Sequence, residues 1–144
     1  MVQIREMMPG DVEAASEIER EAFSMPWQAK DFLEMVQADY AHYYVAVEDG
    51  RVIGCCGLRD MAGEGEITNV VVAKNARRKG TGLRLMEHML EKAGEMGIKA
   101  CTLEVRVSNR AAIGLYEKLG FAGEGIRPGF YEKPVEDALI MWKR

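Results

Sequence analysis

The sequence predicts a mixed β-sheet with helices on both faces, an α/β or α+β fold. Three observations lead there. Asp49-Gly50 joins two β-rich runs, and Asp-Gly between apolar runs is a strong hairpin signal. The later strand runs are separated by helical ones, so helices must layer against the sheet. Prolines stand only at positions 9, 26, 128 and 134, which leaves the long middle free for regular structure.

The elements follow in order. Residues 2–7 read as a short strand. Pro9-Gly10-Asp11 then punctuates the chain, with Asp11 as the expected N-cap. Val12, Ala15, Ile18 and Ala22 recur at helical spacing, which predicts an amphipathic helix to about Phe23. Ser24-Met25-Pro26-Trp27 breaks it. A second helix is expected over 29–37, with Phe32, Leu33 and Val36 inward. The hairpin strands are 43–48 and 51–58. Gly63 to Gly65 breaks the chain again, and 66–73, carrying Val70-Val71-Val72, reads as a buried strand. Leu83, Met86, Leu90 and Ala93 mark a helix that stops between Gly94 and Gly97. A strand over 101–107 leads to a helix over 109–119, with Asn109 as N-cap and Gly120 as the C′ glycine. Residues 121–126 and 138–142 are the last strands, with 127–137 between them as a tail loop.

Composition narrows the function classes. The chain has 144 residues, which fits a single domain over 1–144 by the usual size of roughly 100–200 residues. Its 48% hydrophobic and 29% charged residues are ordinary for a globular protein. The net charge of −4 argues against a dedicated nucleic-acid binder. Cys55, Cys56 and Cys101 form no CxxC, and the only histidines are His42 and His88, so neither a disulfide framework nor a structural zinc is expected. Reduced core thiols fit a cytoplasmic protein. The first six residues have no apolar core of a signal peptide, and no run approaches a membrane span. Oligomeric state is not readable.

The first chemical signal lies at the strand-to-helix turn Arg77-Arg78-Lys79-Gly80-Thr81-Gly82. Glycines let backbone N–H groups approach a ligand closely, and a helix N-terminus adds free donors and partial positive charge. Lys74, Arg77, Arg78, Lys79 and Arg84 make this a basic island on an acidic chain. A P-loop needs GxxxxGK[ST] and a dinucleotide fold needs GxGxxG; neither pattern is present. An anion cradle, sized for a pyrophosphate, and a solvated basic turn are the two readings left. Spacing and context favour the cradle.

These residues carry a resemblance. Arg77-x-x-Gly80-x-Gly82 matches the (Q/R)xxGx(G/A) motif of the GNAT acetyltransferase superfamily. Leu103-Glu104-Val105-Arg106-Val107-Ser108-Asn109, the run from Ala111 to Phe121, Phe23-x-x-Pro26-Trp27 and Glu136-Asp137-Ala138 together resemble the bacterial ribosomal-protein-alanine N-acetyltransferases over nearly the whole chain. The resemblance implies a mixed, mostly antiparallel central sheet of six to seven strands flanked by about four helices. It implies acetyl-CoA as co-substrate, without a metal. Val70, Val71 and Val72 would pair with the pantetheine arm. Arg77, Arg78, Lys79, Gly80, Thr81, Gly82 and Leu83 would surround the pyrophosphate, and Asn109 would touch the CoA arm. Glu104 would accept a proton and Tyr116 donate one. The acceptor would be the N-terminal α-amine of a protein, a ribosomal one in this subfamily.

The chemistry asks for such groups on its own terms. An α-amine with a pKa of about 7.7–8.0 is largely protonated at neutral pH and cannot attack a thioester until a base takes its proton. Strand alternation puts Glu104 on the face opposite Leu103 and Val105. A phenol can hold its proton until a thiolate leaves, and Tyr116 lies on the helix that follows, so both residues can reach one cleft. Arg106 is either a bystander or an ion-pair partner of Glu104. Trp27 and Tyr131 are expected acceptor walls, Tyr131 either bonding a peptide backbone or packing the tail. Glu66, with Glu64, Glu132, Glu136 and Asp137, would either favour a cationic peptide or form a solvated rim. Two other functions stay open: a small-molecule amine acetyltransferase, and a non-catalytic acyl-CoA- or partner-binding module.

Overall fold

Alternation in the strands and helical spacing between them sort the apolar side chains onto two faces of one sheet. In a computed structural model, which describes residues 1–77 and 79–144, the order is β1 (Val2–Glu6), α1 (Val12–Ala22), α2 (Ala29–Gln37), β2 (Ala41–Glu48), β3 (Arg51–Met61), β4 (Glu64–Val72), α3 (Thr81–Glu95), β5 (Ala100–Arg106), α4 (Arg110–Lys118), β6 (Ala122–Tyr131) and β7 (Glu136–Lys143). The expected succession of strands and helices is present, and four helices flank one seven-stranded sheet of order β1-β2-β3-β4-β5-β7-β6. Among the described residues β4 and β5 are the only parallel neighbours.

Local chemistry explains the joints. Asp49 and Gly50 both take positive φ, 51° and 75°, as the tight hairpin between β2 and β3 requires. Asn109 caps α4 by accepting from the Ala112 N–H at 3.2 Å. Asp11 precedes α1 but makes no side-chain cap. A short turn over Pro9–Asp11 intervenes, and the Asp11 carboxylate instead accepts from the Met8 N–H at 2.7 Å and from Arg5 at 2.8 and 3.1 Å. The stretch 127–137 is less of a loop than expected. β6 runs on to Tyr131 and β7 begins at Glu136, so most of it is the arms of a hairpin.

One core lies between the sheet and α1 and α2, around Ile18, Phe32, Met35, Val45 and Cys55. The other lies under α3 and α4, around Leu58, Leu85, Met86, Met89, Leu103 and Tyr116. A bulge in β4 sets how this strand serves both. Gly57 pairs with Asn69 but Leu58 pairs with Ile67, so Thr68 is the extra residue. Before the bulge Ile67 faces the α3 core; after it Val70 and Val72 do, while Val71 faces the other. Strand parity has switched at Thr68.

Tyr43 anchors the bulge from β2. Its hydroxyl donates to Asn69 Oδ1 at 2.9 Å and also contacts Thr68 Oγ1. Its ring packs on Trp27 and Phe32 with centroids 6.1 and 6.2 Å away. It crosses Gly57 so closely that a Cβ there would overlap the ring. The ring has no room to retreat. Gly57→Ala should therefore destabilise the protein by about 1–3 kcal/mol, the usual effect of overpacking. Urea unfolding measures this; an unchanged midpoint would show that the ring is not held.

Candidate active site

The central feature is a parting of strands. β4 and β5 pair only at Glu64–Ala100, Gly65–Cys101 and Glu66–Thr102. Beyond that point β4 stays with β3 and β5 with β7. Backbone groups of residues 67–72 that point away from β3 therefore border a gap, and such groups call for a partner.

The glycine turn closes one end of this gap. Gly80 takes φ 77° and opens α3, and the first helical bond runs from Arg84 N–H to Gly80 O at 3.0 Å. The amides of Thr81, Gly82 and Leu83 come before that bond, so helix geometry leaves them free of intrahelical partners. A Cβ on Gly80 would meet nothing within 4 Å, so the turn faces open space. Thr81 is buried. Gly82 nestles between Val72 and Leu115. Arg77 and Lys79 are exposed, and Arg77 Nε also holds the Val72 carbonyl at 3.1 Å. Arg78 lies outside the described residues. Arg84 departs from the expected island, because its guanidinium reaches back to the Val2 carbonyl at 3.1 Å. Val70 and Val72 are half-buried and Val71 is buried. The Asn109 carboxamide oxygen is engaged as the α4 cap.

Glu104 and Tyr116 lie on opposite faces of the sheet. Cys101, Leu103 and Val105 join the core under α3 and α4, where Tyr116 also lies, so alternation turns Glu104 to the α1–α2 face. Tyr116 is 8% exposed and its ring meets Phe121 at 6.1 Å. Burial pushes its phenol well above the ordinary value, with Tyr131 and Cys56 adding to the rise. Tyr131 is half-buried; burial, then the Glu104 carboxylate, push its phenol up to about 12 against the pull of Arg106.

Three carboxylates near the gap, Glu66, Glu104 and Glu136, are paired with arginines. Glu66 Oε1 accepts from Arg59 Nε at 3.0 Å. Glu104 Oε2 accepts from Arg127 at 2.7 Å. Glu136 accepts from the Ser108 N–H at 2.8 Å and from Arg106 at 3.2 Å, and Ser108 first, then Arg106, hold it below the usual carboxylate range. Arg106 is thus the partner of Glu136 and not of Glu104. It also donates to the carbonyls of Glu132 and Pro134, each at 2.9 Å, and lies 4.5 Å over the Tyr131 ring. Tyr131 is accordingly packed into the β6–β7 hairpin. Trp27 is half-buried against Phe32 and Tyr43, while Phe23 and Met25 of the same connection are exposed.

Two groups escaped the sequence reading. Arg127 meets Glu104 only because β7 lies between their strands, a register that spacing does not reveal. Glu19 was visible as a charged residue in the stripe Ala15, Ile18, Ala22. It is 4% exposed and leaves Oε2 without a partner among the described residues. Burial pushes its carboxyl up to about 7 from an ordinary 4.5. A carboxyl raised on folding makes the native state hold a proton that the unfolded chain has released. Stability from this group is therefore full below pH 4.5 and lost as pH rises through about 7. The wild-type advantage over Glu19→Gln should fall by on the order of 3 kcal/mol between pH 4.5 and 8. Urea titrations of both proteins across that range test it; parallel stability curves would remove the perturbed carboxyl.

Comparison with known proteins agrees with this geometry. Residues 12–121 match the Acetyltransferase (GNAT) family. An Escherichia coli K12 relative named [ribosomal protein bS18]-alanine N-acetyltransferase is 34% identical, covering 91% of this chain and 89% of the relative. A Bacillus subtilis relative, given the same name provisionally, is 38% identical over 96% of this chain and 93% of its own. The crystal structure of the Escherichia coli ribosomal-protein-S18-alanine N-acetyltransferase superposes with a TM-score of 0.92 at 32% identity, covering 99% of this chain and 93% of that one.

Proposed function

The chain belongs to the GNAT acetyltransferase family and is an acyltransferase, and from that premise we propose that it acetylates the N-terminal alanine of a ribosomal protein. On this reading residues 1–144 act as one acetyltransferase domain, acetyl-CoA is the donor and no metal takes part. The observation that carries the reading is the β4–β5 gap, with the glycine turn at one end, Glu104 on one face and Tyr116 on the other. The names of the relatives support the acceptor.

The residues fit the donor. Free amides at the start of α3, an open turn at Gly80 and exposed Arg77 and Lys79 suit a pyrophosphate. The β4 edge from Val70 to Val72 offers alternate N–H and C=O groups to an amide-bearing arm, and Asn109 stands at the start of α4, beyond β5. Acetyl-CoA supplies an acetyl group activated as a thioester.

Glu104 takes a proton from the acceptor ammonium, directly or through one water, and frees the nitrogen lone pair. The C–N bond forms as the C–S bond breaks, in a ternary complex with no acetylated side chain. Tyr116 gives its proton to the departing sulfur, and the second proton of the nitrogen, released to solvent as the amide forms, is matched by the one that restores the phenol. Burial keeps the Tyr116 phenol protonated, so the proton is in place when the reaction begins. The buried cysteines are poor acyl carriers, because desolvation holds the thiols of Cys55 and Cys56 protonated.

The test is transfer from acetyl-CoA to an Ala-Arg-led peptide, beside polyamines and an N-blocked peptide bearing lysine. Transfer to free α-amines alone is expected. Transfer to polyamines alone would favour a small-molecule enzyme on the same scaffold. Glu104→Gln and Tyr116→Phe should each lower kcat by about 10²–10⁴-fold while acetyl-CoA still binds. Normal turnover in either variant would remove that residue from its role.

A further inference from the structure

We infer that Arg127 is a positioning residue that orients Glu104 toward the acceptor amine, an inference that rests on the reading of Glu104 as base. The contact is a charge-assisted hydrogen bond of 2.7 Å between Arg127 Nη1 and Glu104 Oε2. It joins residues 23 apart in sequence and on strands that are not neighbours.

The register shows how the contact is possible. Ala138 of β7 pairs with Arg106 on one side and Arg127 on the other, while Ile140 pairs with Glu104 and Gly125. Arg127 must therefore reach diagonally across β7 to meet Glu104. Neighbouring strands are about 4.8 Å apart, so the span is about twice that, within reach of a guanidinium on an extended stem. Ala138 is fully buried, and its methyl is short enough for the arginine stem to pass above it. A larger residue there would stand in the path.

One further contact fixes the guanidinium. It lies 4.9 Å over the Phe130 ring, and Phe130 meets Tyr131 edge-on at 5.0 Å. Tyr131 in turn carries Arg106, which is held by Glu136. The charged groups around Glu104 thus alternate in sign along the hairpin, and Arg127 is the one bonded to it. One carboxylate oxygen is committed to Arg127, leaving Oε1 to receive the proton. Surface ion pairs contribute little to stability. With Arg127 54% and Glu104 27% exposed, this pair is better suited to setting direction than to holding the fold.

The test is a double-mutant cycle in steady-state kinetics with the Ala-Arg peptide. Arg127→Met should lower kcat by about 10–100-fold, with the KM for acetyl-CoA changed less than about twofold. Arg127→Lys, which keeps a cation, should recover most of that loss. In a Glu104→Gln background Arg127→Met should cause no further loss, because the two act as one unit. A merely structural arginine would give additive losses and a matching fall in Tm. Normal kcat in Arg127→Met, or additive losses, overturns the inference alone if Glu104→Gln is impaired. Normal turnover in Glu104→Gln overturns both it and the base reading.

Discussion

The parting of β4 from β5 after three residue pairs is the constraint on which the rest of the structure depends. Had the strands stayed paired, the backbone of residues 67–72 would be satisfied within the sheet and nothing could enter. Several features keep them apart. The bulge at Thr68 reverses the parity of β4 just past the last pair, and Tyr43 holds that bulge through Thr68 and Asn69. β5 is drawn the other way by six register pairs with β7. The connection that makes the pair parallel is α3, and its N-terminus opens beside the gap because a crossover must begin where β4 ends. The glycine turn and the open strand edge are thus two consequences of one topology.

The second organising fact is electrostatic. Acidic residues near the gap suggest attraction of a basic peptide, but Glu66, Glu104 and Glu136 each have an arginine against them. The charge of these three is offset, so steering by this lining is weaker than counting acids implies. The arginines act on geometry instead. Arg106 stitches the β6–β7 turn to β5 through two carbonyls and Glu136, and Ser24 adds a bond to the Glu132 carbonyl at 3.4 Å. A hairpin that would otherwise be a loose tail becomes a fixed wall.

Most of the fold was legible because its signals are local. The Asp49-Gly50 turn, the apolar spacing of α1 and α3, and the Asn109 cap depend on residues within one or two turns of each other. The glycine turn was legible for the same reason. What stayed hidden depends on register. The pairing of Arg127 with Glu104 needs the order β5-β7-β6, and the tail read as a loop because Pro128 and Gly129 mask a strand whose pairing is irregular between Arg127 and Tyr131. Asp11 looked like a cap, yet its carboxylate was captured by Arg5, a tertiary contact that outweighs the local preference. Glu19 was hidden by its own chemistry, since a carboxylate is the last group expected in a core.

The opposite-face placement of Glu104 and Tyr116 has a mechanistic meaning on the proposed reading. Acetyl transfer to an ammonium releases two protons from nitrogen and requires one at sulfur. The two steps need opposite starting states, an ionised Glu104 and a protonated Tyr116. Here the sheet separates them, and the gap between β4 and β5 is the passage from one face to the other. Glu104 stays partly solvated and can pass its proton to water. Tyr116 is buried under α4, where desolvation makes loss of its proton costly unless a basic sulfur stands beside it. Tyr131 lies within electrostatic reach of both and keeps its own proton, so it can lend a hydrogen bond without entering the exchange. The strand parting that admits the donor therefore also keeps the two proton transfers apart.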